Sequence, residues 1–146
     1  MIKVRQIINP ATKFYNKFFQ SLENLFSTIL IFGIRLWMAN IFFKSGKAKF
    51  INMDNTIYLF EYEYGLPLIS PVFAAYSSTF FELLCPVLLV LGFLTRLATI
   101  PLIFVTVVIQ FLVVQNIEHF YWLFLLAIIL VNGGGKLALD RFLKIK

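Results

Sequence analysis

The stretch LFSTILIFGIRLWMANIFFK, residues 25–44, decides the fold. A helix of about 20 residues crosses roughly 30 Å of hydrocarbon at a rise of 1.5 Å per residue. The apolar residues form a block here and not the narrow stripe of a soluble amphipathic helix. Arg35 interrupts the block near its middle. A charge at the centre of a bilayer costs about 2.5–3.5 kcal/mol on insertion scales, so Arg35 calls for a partner inside the protein.

Three further apolar segments follow, at about 71–93, 97–115 and 117–134. The last is the shortest. Its apolar run Phe120–Val131 meets Gly133, Gly134 and Gly135, which cannot continue a helix at low cost. A re-entrant or interfacial segment is the alternative to a full crossing there. Of the 146 residues 60 % are hydrophobic, and 18 are phenylalanine, more than a soluble domain of this size can hide. The expected fold is all-α, an integral membrane four-helix bundle over residues 25–146.

Residues 1–24 read differently. Phe14, Tyr15, Phe18, Phe19, Leu22, Leu25 and Phe26 recur at helical spacing, with Lys13, Lys17 and Gln20 between them. This predicts an amphipathic helix lying in the membrane interface, started near Pro10. The segment lacks the apolar core and the small-residue cleavage site of a signal peptide.

Residues 45–70 read as a polar loop. Within it Asp54, Asn55 and Thr56 are capping residues, and Ile57, Phe60 and Tyr64 give one apolar edge to a short surface helix. Gly65 and Pro67 end it. Tyr58, Glu61, Tyr62, Glu63 and Tyr64 form an acidic aromatic patch: a solvated face, a docking surface for a periplasmic partner, or a weak cation site.

The net charge is +6, but the cations flank the apolar blocks. Lys3, Arg5, Lys13 and Lys17 precede the first, Arg96 follows the second, and Lys136, Arg141, Lys144 and Lys146 follow the last. That makes nine on one side against Lys44, Lys47 and Lys49 on the other. The positive-inside rule then predicts both termini in the cytoplasm of a bacterial cell, in a multi-pass inner-membrane protein. No basic face interleaved with exposed aromatics suggests nucleic acid.

Arg35 and Glu82 are the chemical focus. Each sits near the middle of its span. Arg35, Ala39, Phe42 and Gly46 share one helix face, and Ala75, Ser78, Thr79, Glu82 and Pro86 share another. Small residues let such faces approach. The pattern predicts an Arg35–Glu82 ion pair, either fixing helix register or serving as a proton-active or ligand-binding site. Pro86 should kink its helix unless neighbours satisfy the freed carbonyl. Gln110 either joins this network or makes a helix–helix contact. Cys85 reads as a small buried hydrophobe. His119 reads as an interfacial polar residue. Phe120, Tyr121 and Trp122 form an aromatic belt or a quinone-stacking surface. One cysteine and one histidine leave no disulfide, and no metal site is evident.

Three motifs occur in order on these helices. IRLWMANIFFKSGKAKF at 34–50 carries Arg35, Phe42, Gly46 and Lys49. FELLCPVLLVLGFLTRLATI at 81–100 carries Glu82, Gly92, Thr95 and Arg96. GGGKLALD at 133–140 ends on Asp140, with Ala138 where a serine is frequent. Together they resemble the DoxX family of bacterial membrane proteins over about residues 30–142. LFEYEYGLPLISPVFAAY at 59–76 also resembles a subgroup associated with operons for copper-responsive modified peptides. The resemblance adds Lys49, Arg96 and Asp140 to the candidate residues. Some family members are linked to membrane oxidoreductases, including a thiosulfate–quinone oxidoreductase subunit. It therefore implies an accessory subunit of a redox or metal-stress system, not catalytic alone, with a quinone near Arg35 and Glu82. No heme or iron–sulfur ligand set is visible. A transporter or exporter component for a small solute or peptide, and a non-catalytic assembly protein, are the alternatives. Expected partners are the lipid bilayer, a membrane or periplasmic protein, and a second copy of the chain.

Overall fold

The computed structural model describes residues 10–65 and 69–144. Among these residues six α-helices form: α1 (Pro10–Ile51), α2 (Met53–Leu59), α3 (Pro71–Leu91), α4 (Thr95–Val108), α5 (Ile117–Asn132) and α6 (Leu139–Phe142). Phe60–Tyr64 and Ile109–Val113 are π-helical turns that prolong α2 and α4. Among the described residues there is no strand.

The first helix departs from the sequence reading at both ends. It is continuous over 42 residues, so no break separates residues 10–24 from the first span. It also runs through Ser45–Ile51, which the cluster of Lys44, Lys47 and Lys49 had suggested was loop. The helix survives Gly46, whose intrinsic cost is about 1 kcal/mol relative to alanine, because Gly46 is a packing contact. A Cβ there would lie 2.9 Å from the carbonyl carbon of Glu82. Pro86 deprives that same Glu82 carbonyl of its intrahelical donor, and the glycine is what brings the α1 backbone up to it.

The surface helix forms as α2, but Asn52 occupies its N-cap position and no side chain caps it. Thr56 is buried, and its hydroxyl donates back to the carbonyls of Asn52 and Lys49. Gly65 ends the following turn in the left-handed region at φ 52°. The stop expected at Pro67 falls outside the described residues.

Pro71 opens α3 within its first turn, where the missing N–H is harmless. At the other end Gly92, at φ 69°, closes a Schellman motif. Its N–H donates to Leu89, and that of Phe93 donates to Leu88. Leu94 enters α4 at φ 47°, a conformation that leucine adopts only under constraint.

α1 runs antiparallel to α3, with Gly46 beside Glu82 and Arg35 beside Gly92. α1 also packs on α5, and α4 packs on both α3 and α5. The core between them holds Met38, Phe42, Leu89, Leu102, Leu126 and Ile129. A smaller cluster, Phe60, Ala74 and Ala75, holds α2 and its turn against α3. Three helices are long and apolar enough to cross a membrane: Thr12–Ile51, Pro71–Leu91 and Thr95–Val113. α5 is as apolar but has 16 residues, roughly 24 Å of helix.

Gly46→Val should destabilise the protein by about 1–3 kcal/mol through overpacking against α3. Gly33→Val on the same helix meets nothing within 4 Å and serves as the control. Thermal denaturation of the two purified variants in detergent checks this: equal midpoints would dismiss the contact.

Candidate functional site

The predicted Arg35–Glu82 pair does not form. Each charge is buried, and each has its own partner.

Arg35 is fully buried and spends its guanidinium on backbone carbonyls. Nε donates to Leu89 O at 2.8 Å, Nη2 to Val90 O at 2.9 Å, and Nη1 to Gly134 O at 2.7 Å. Leu89 and Val90 belong to the last turn of α3, which carries the negative end of the helix dipole; Leu89 O also accepts from Gly92 N, and no following helical turn supplies further donors. Arg35 therefore caps α3 and ties it to the glycine tail. The close approach depends on Gly92, where a Cβ would lie 2.5 Å from Nη2. Arg35 thus sits at the end of α3 and not at its centre.

Asp140 performs the complementary task on α4. Its carboxylate accepts from Leu94 N at 2.7 Å and Thr95 N at 2.9 Å, the donors at the start of that helix. Its own N–H donates to Gly92 O. Arg96 caps a third helix end, donating from Nη2 to Val131 O near the close of α5 at 3.0 Å. Arg35, Arg96 and Asp140 are thus engaged with helix termini around one turn.

Glu82 lies near the middle of α3, fully buried, in a salt bridge with the ammonium of Lys49. Lys49 also reaches Ser45 Oγ at 3.4 Å. The other carboxylate oxygen of Glu82, Oε2, is buried with no hydrogen-bond partner. Lys49 borders an apolar groove of about 610 Å³ between α3 and α4. Phe73, Phe81, Pro101, Phe104 and Val108 supply much of the groove wall, and Tyr64 stands at its rim. Burial, then the carboxylates of Glu63 and Glu82, push the Tyr64 phenol above its ordinary range. The groove is largely apolar, and Lys49, Tyr64, Ser77 and Ser78 are its polar lining residues.

Gln110 is buried in the π-helical turn ending α4. Its Oε1 meets His119 Nδ1 at 2.8 Å and accepts from Asn116 N at 3.1 Å, so it binds the α4–α5 connection. His119 is buried, and its ring stands edge-on to Trp122 at 5.0 Å. Cys85 is buried in the core, as its surroundings suggested. Glu61, Tyr62 and Glu63 are exposed, with the Tyr62 ring 4.6 Å from that of Tyr58.

Sequence reasoning missed two features. It placed Lys49 in a loop, although Gly46 and Lys49, one turn apart, continue the buried face of Arg35, Ala39 and Phe42. It also missed an exposed polar row on α1, Asn40, Lys44 and Lys47 at i, i+4 and i+7. That row brackets Gly46 and so lies level with the middle of α3.

The chain matches the DoxX family over residues 30–115, more than half its length. It belongs to the DoxX family. Comparison with curated proteins and with solved structures gives no match. The family match includes Arg35, Lys49, Glu82, Arg96 and Gln110; Asp140 lies beyond it.

Two outcomes follow from these contacts. Lys49→Met or Glu82→Leu alone should cost about 3–5 kcal/mol by leaving one buried charge unpaired, and the double variant much less than their sum. A double-mutant cycle on unfolding free energies measures this; additive losses would mean the pair is not coupled. Arg35→Lys keeps the charge but cannot present a planar fork to three carbonyls. It should lower the thermal midpoint and speed proteolysis at the 92–96 turn, whereas unchanged cleavage would contradict the capping role.

Proposed function

We propose that this DoxX-family protein is an accessory subunit of a membrane redox system. In this reading the groove beside Lys49 holds a quinone-like ring. The observation that carries it is the pairing of Lys49 with Glu82 at the edge of an apolar groove. An ammonium that already neutralises a carboxylate can still donate to a ligand carbonyl. Glu82, with Oε2 unpartnered, is placed to hold that ammonium and to exchange a proton through it. The groove volume falls within the range of ligand sites, roughly 300–1,000 Å³. Arg35, committed to three carbonyls, is left out of the ligand site.

In the same proposal α1, α3, α4 and α5 form a four-helix bundle in a bacterial inner membrane, with both termini cytoplasmic. Arg96, Lys136, Arg141 and Lys144 gather at the Arg35 end of the helices, as the positive-inside rule requires of a cytoplasmic face. The metal-stress branch rests on the resemblance of residues 59–76 to the copper-responsive subgroup.

The polar row on α1 supports the word accessory. Asn40, Lys44 and Lys47 are exposed at the depth of the α3 midpoint, where lysine facing lipid is costly. A membrane-embedded partner with carboxylates opposite them removes that cost. The same row also suits the reading of a non-catalytic assembly protein, in which Lys49–Glu82 only fixes register.

The test is quinone retention after purification from native membranes. Extracted quinone should approach one per chain and fall at least tenfold in Lys49→Met/Glu82→Leu, a variant expected to stay folded. A folded double variant that retains the parent's quinone would sink the redox reading. Absence of quinone from the parent would favour the assembly protein.

A further inference from the structure

A second cavity lies at the opposite end of the molecule from the groove. It is a crevice of about 810 Å³ between α1, the start of α4 and the glycine tail. Arg96, Lys136, Arg141 and Lys144 line it, with Asp140 the one carboxylate among them. That carboxylate is already held by the amides of Leu94 and Thr95. Lys136 reaches across to Asn24 Oδ1 at 2.8 Å, which fixes the tail against α1. The crevice is therefore built by tertiary contacts and carries an excess of positive charge.

Its floor supplies a second, independent feature. Thr95 is wholly buried, lines the crevice, and its Oγ1 has no hydrogen-bond partner. An unmade hydrogen bond on a buried hydroxyl costs about 1–3 kcal/mol. The neighbouring residue is Gly134, where a Cβ would come within 2.6 Å of that oxygen. Any larger residue there would clash with the hydroxyl and with Ala138. Apolar side chains are exposed nearby: Leu97 in the crevice wall, and Leu137 and Phe142 next in sequence to Lys136 and Arg141.

We infer that this crevice binds a phosphate group, the cations meeting its charge and Thr95 donating to one of its oxygens. Arginine and lysine supply charge-assisted donors to phosphate oxygens. These apolar side chains suit acyl chains, so an anionic phospholipid headgroup is the expected source and free phosphate the other. This site shares no residue with the Lys49 groove, so it stands or falls apart from the redox reading.

Native mass spectrometry of the full chain in detergent tests it, with phosphatidylglycerol, phosphatidylcholine and inorganic phosphate as probes. Phosphatidylglycerol should bind at one per chain, at least tenfold tighter than phosphatidylcholine. Arg141→Gln/Lys144→Gln should weaken it about tenfold. Thr95→Val should weaken it several-fold. Helix content and thermal midpoint confirm that both variants are folded. Competition by millimolar inorganic phosphate would identify the phosphate alone as the ligand, and its failure to compete would identify the whole lipid. Unchanged phosphatidylglycerol binding in both folded variants would overturn the proposal.

Discussion

The Arg35 guanidinium is the contact on which the rest of the structure depends. It lies on α1, caps the end of α3, and bonds the glycine tail that follows α5. A buried cation is tolerable only when its hydrogens are satisfied and an opposite charge or dipole faces it. Here the facing charge is the carbonyl end of α3, where the Schellman turn supplies donors to Leu88 and Leu89 and Arg35 supplies one to Val90 and a second one to Leu89. Two deficits cancel at one point. The geometry then dictates the local sequence: Gly92 because a Cβ would strike Nη2, and a small residue at 138 because Ala138 lies beside the same glycine.

Asp140 completes this arrangement with the opposite sign. α3 ends and α4 begins within a few residues, so the negative end of one helix dipole and the positive end of the next lie side by side. Arg35 meets the first and Asp140 the second. The constrained Leu94 backbone, at φ 47°, is held by the Asp140 carboxylate on its own N–H. A tight turn between two apolar helices therefore draws its charge complement from residues far apart in the chain, one on α1 and one after α5.

Much of the fold was legible because apolar blocks and their punctuation report on single elements. Pro71, Gly92 and Gly133 mark ends that the structure reproduces within a few residues. The buried faces of α1 and α3 were legible too, from the spacing of Arg35, Ala39, Phe42 and Gly46 and of Ala75, Thr79 and Glu82. The partners were not. Pairing two central charges is sound when side chains are the only acceptors considered, but backbone carbonyls at a helix end have no letter in the sequence. The lysine cluster at 44–49 misled for a related reason: three charges in six residues suggest a loop, and only the contact of Gly46 with α3 shows why the helix continues.

The separation of the two cations along α1 has a consequence for chemistry. Arg35 and Lys49 are fourteen residues apart, roughly 21 Å of helix. Arginine suits a permanent cap because it remains charged and presents a planar fork. Lysine beside a buried carboxylate is the opposite kind of group: a single ammonium on a flexible stem, able to change partners. The chain thus places its fixed cation at the turn that needs constant charge. Its adjustable cation borders a groove that can admit a ligand. The proposed ligand site therefore lies at Lys49 and Glu82, because Arg35 is committed to the junction of α1, α3 and the tail.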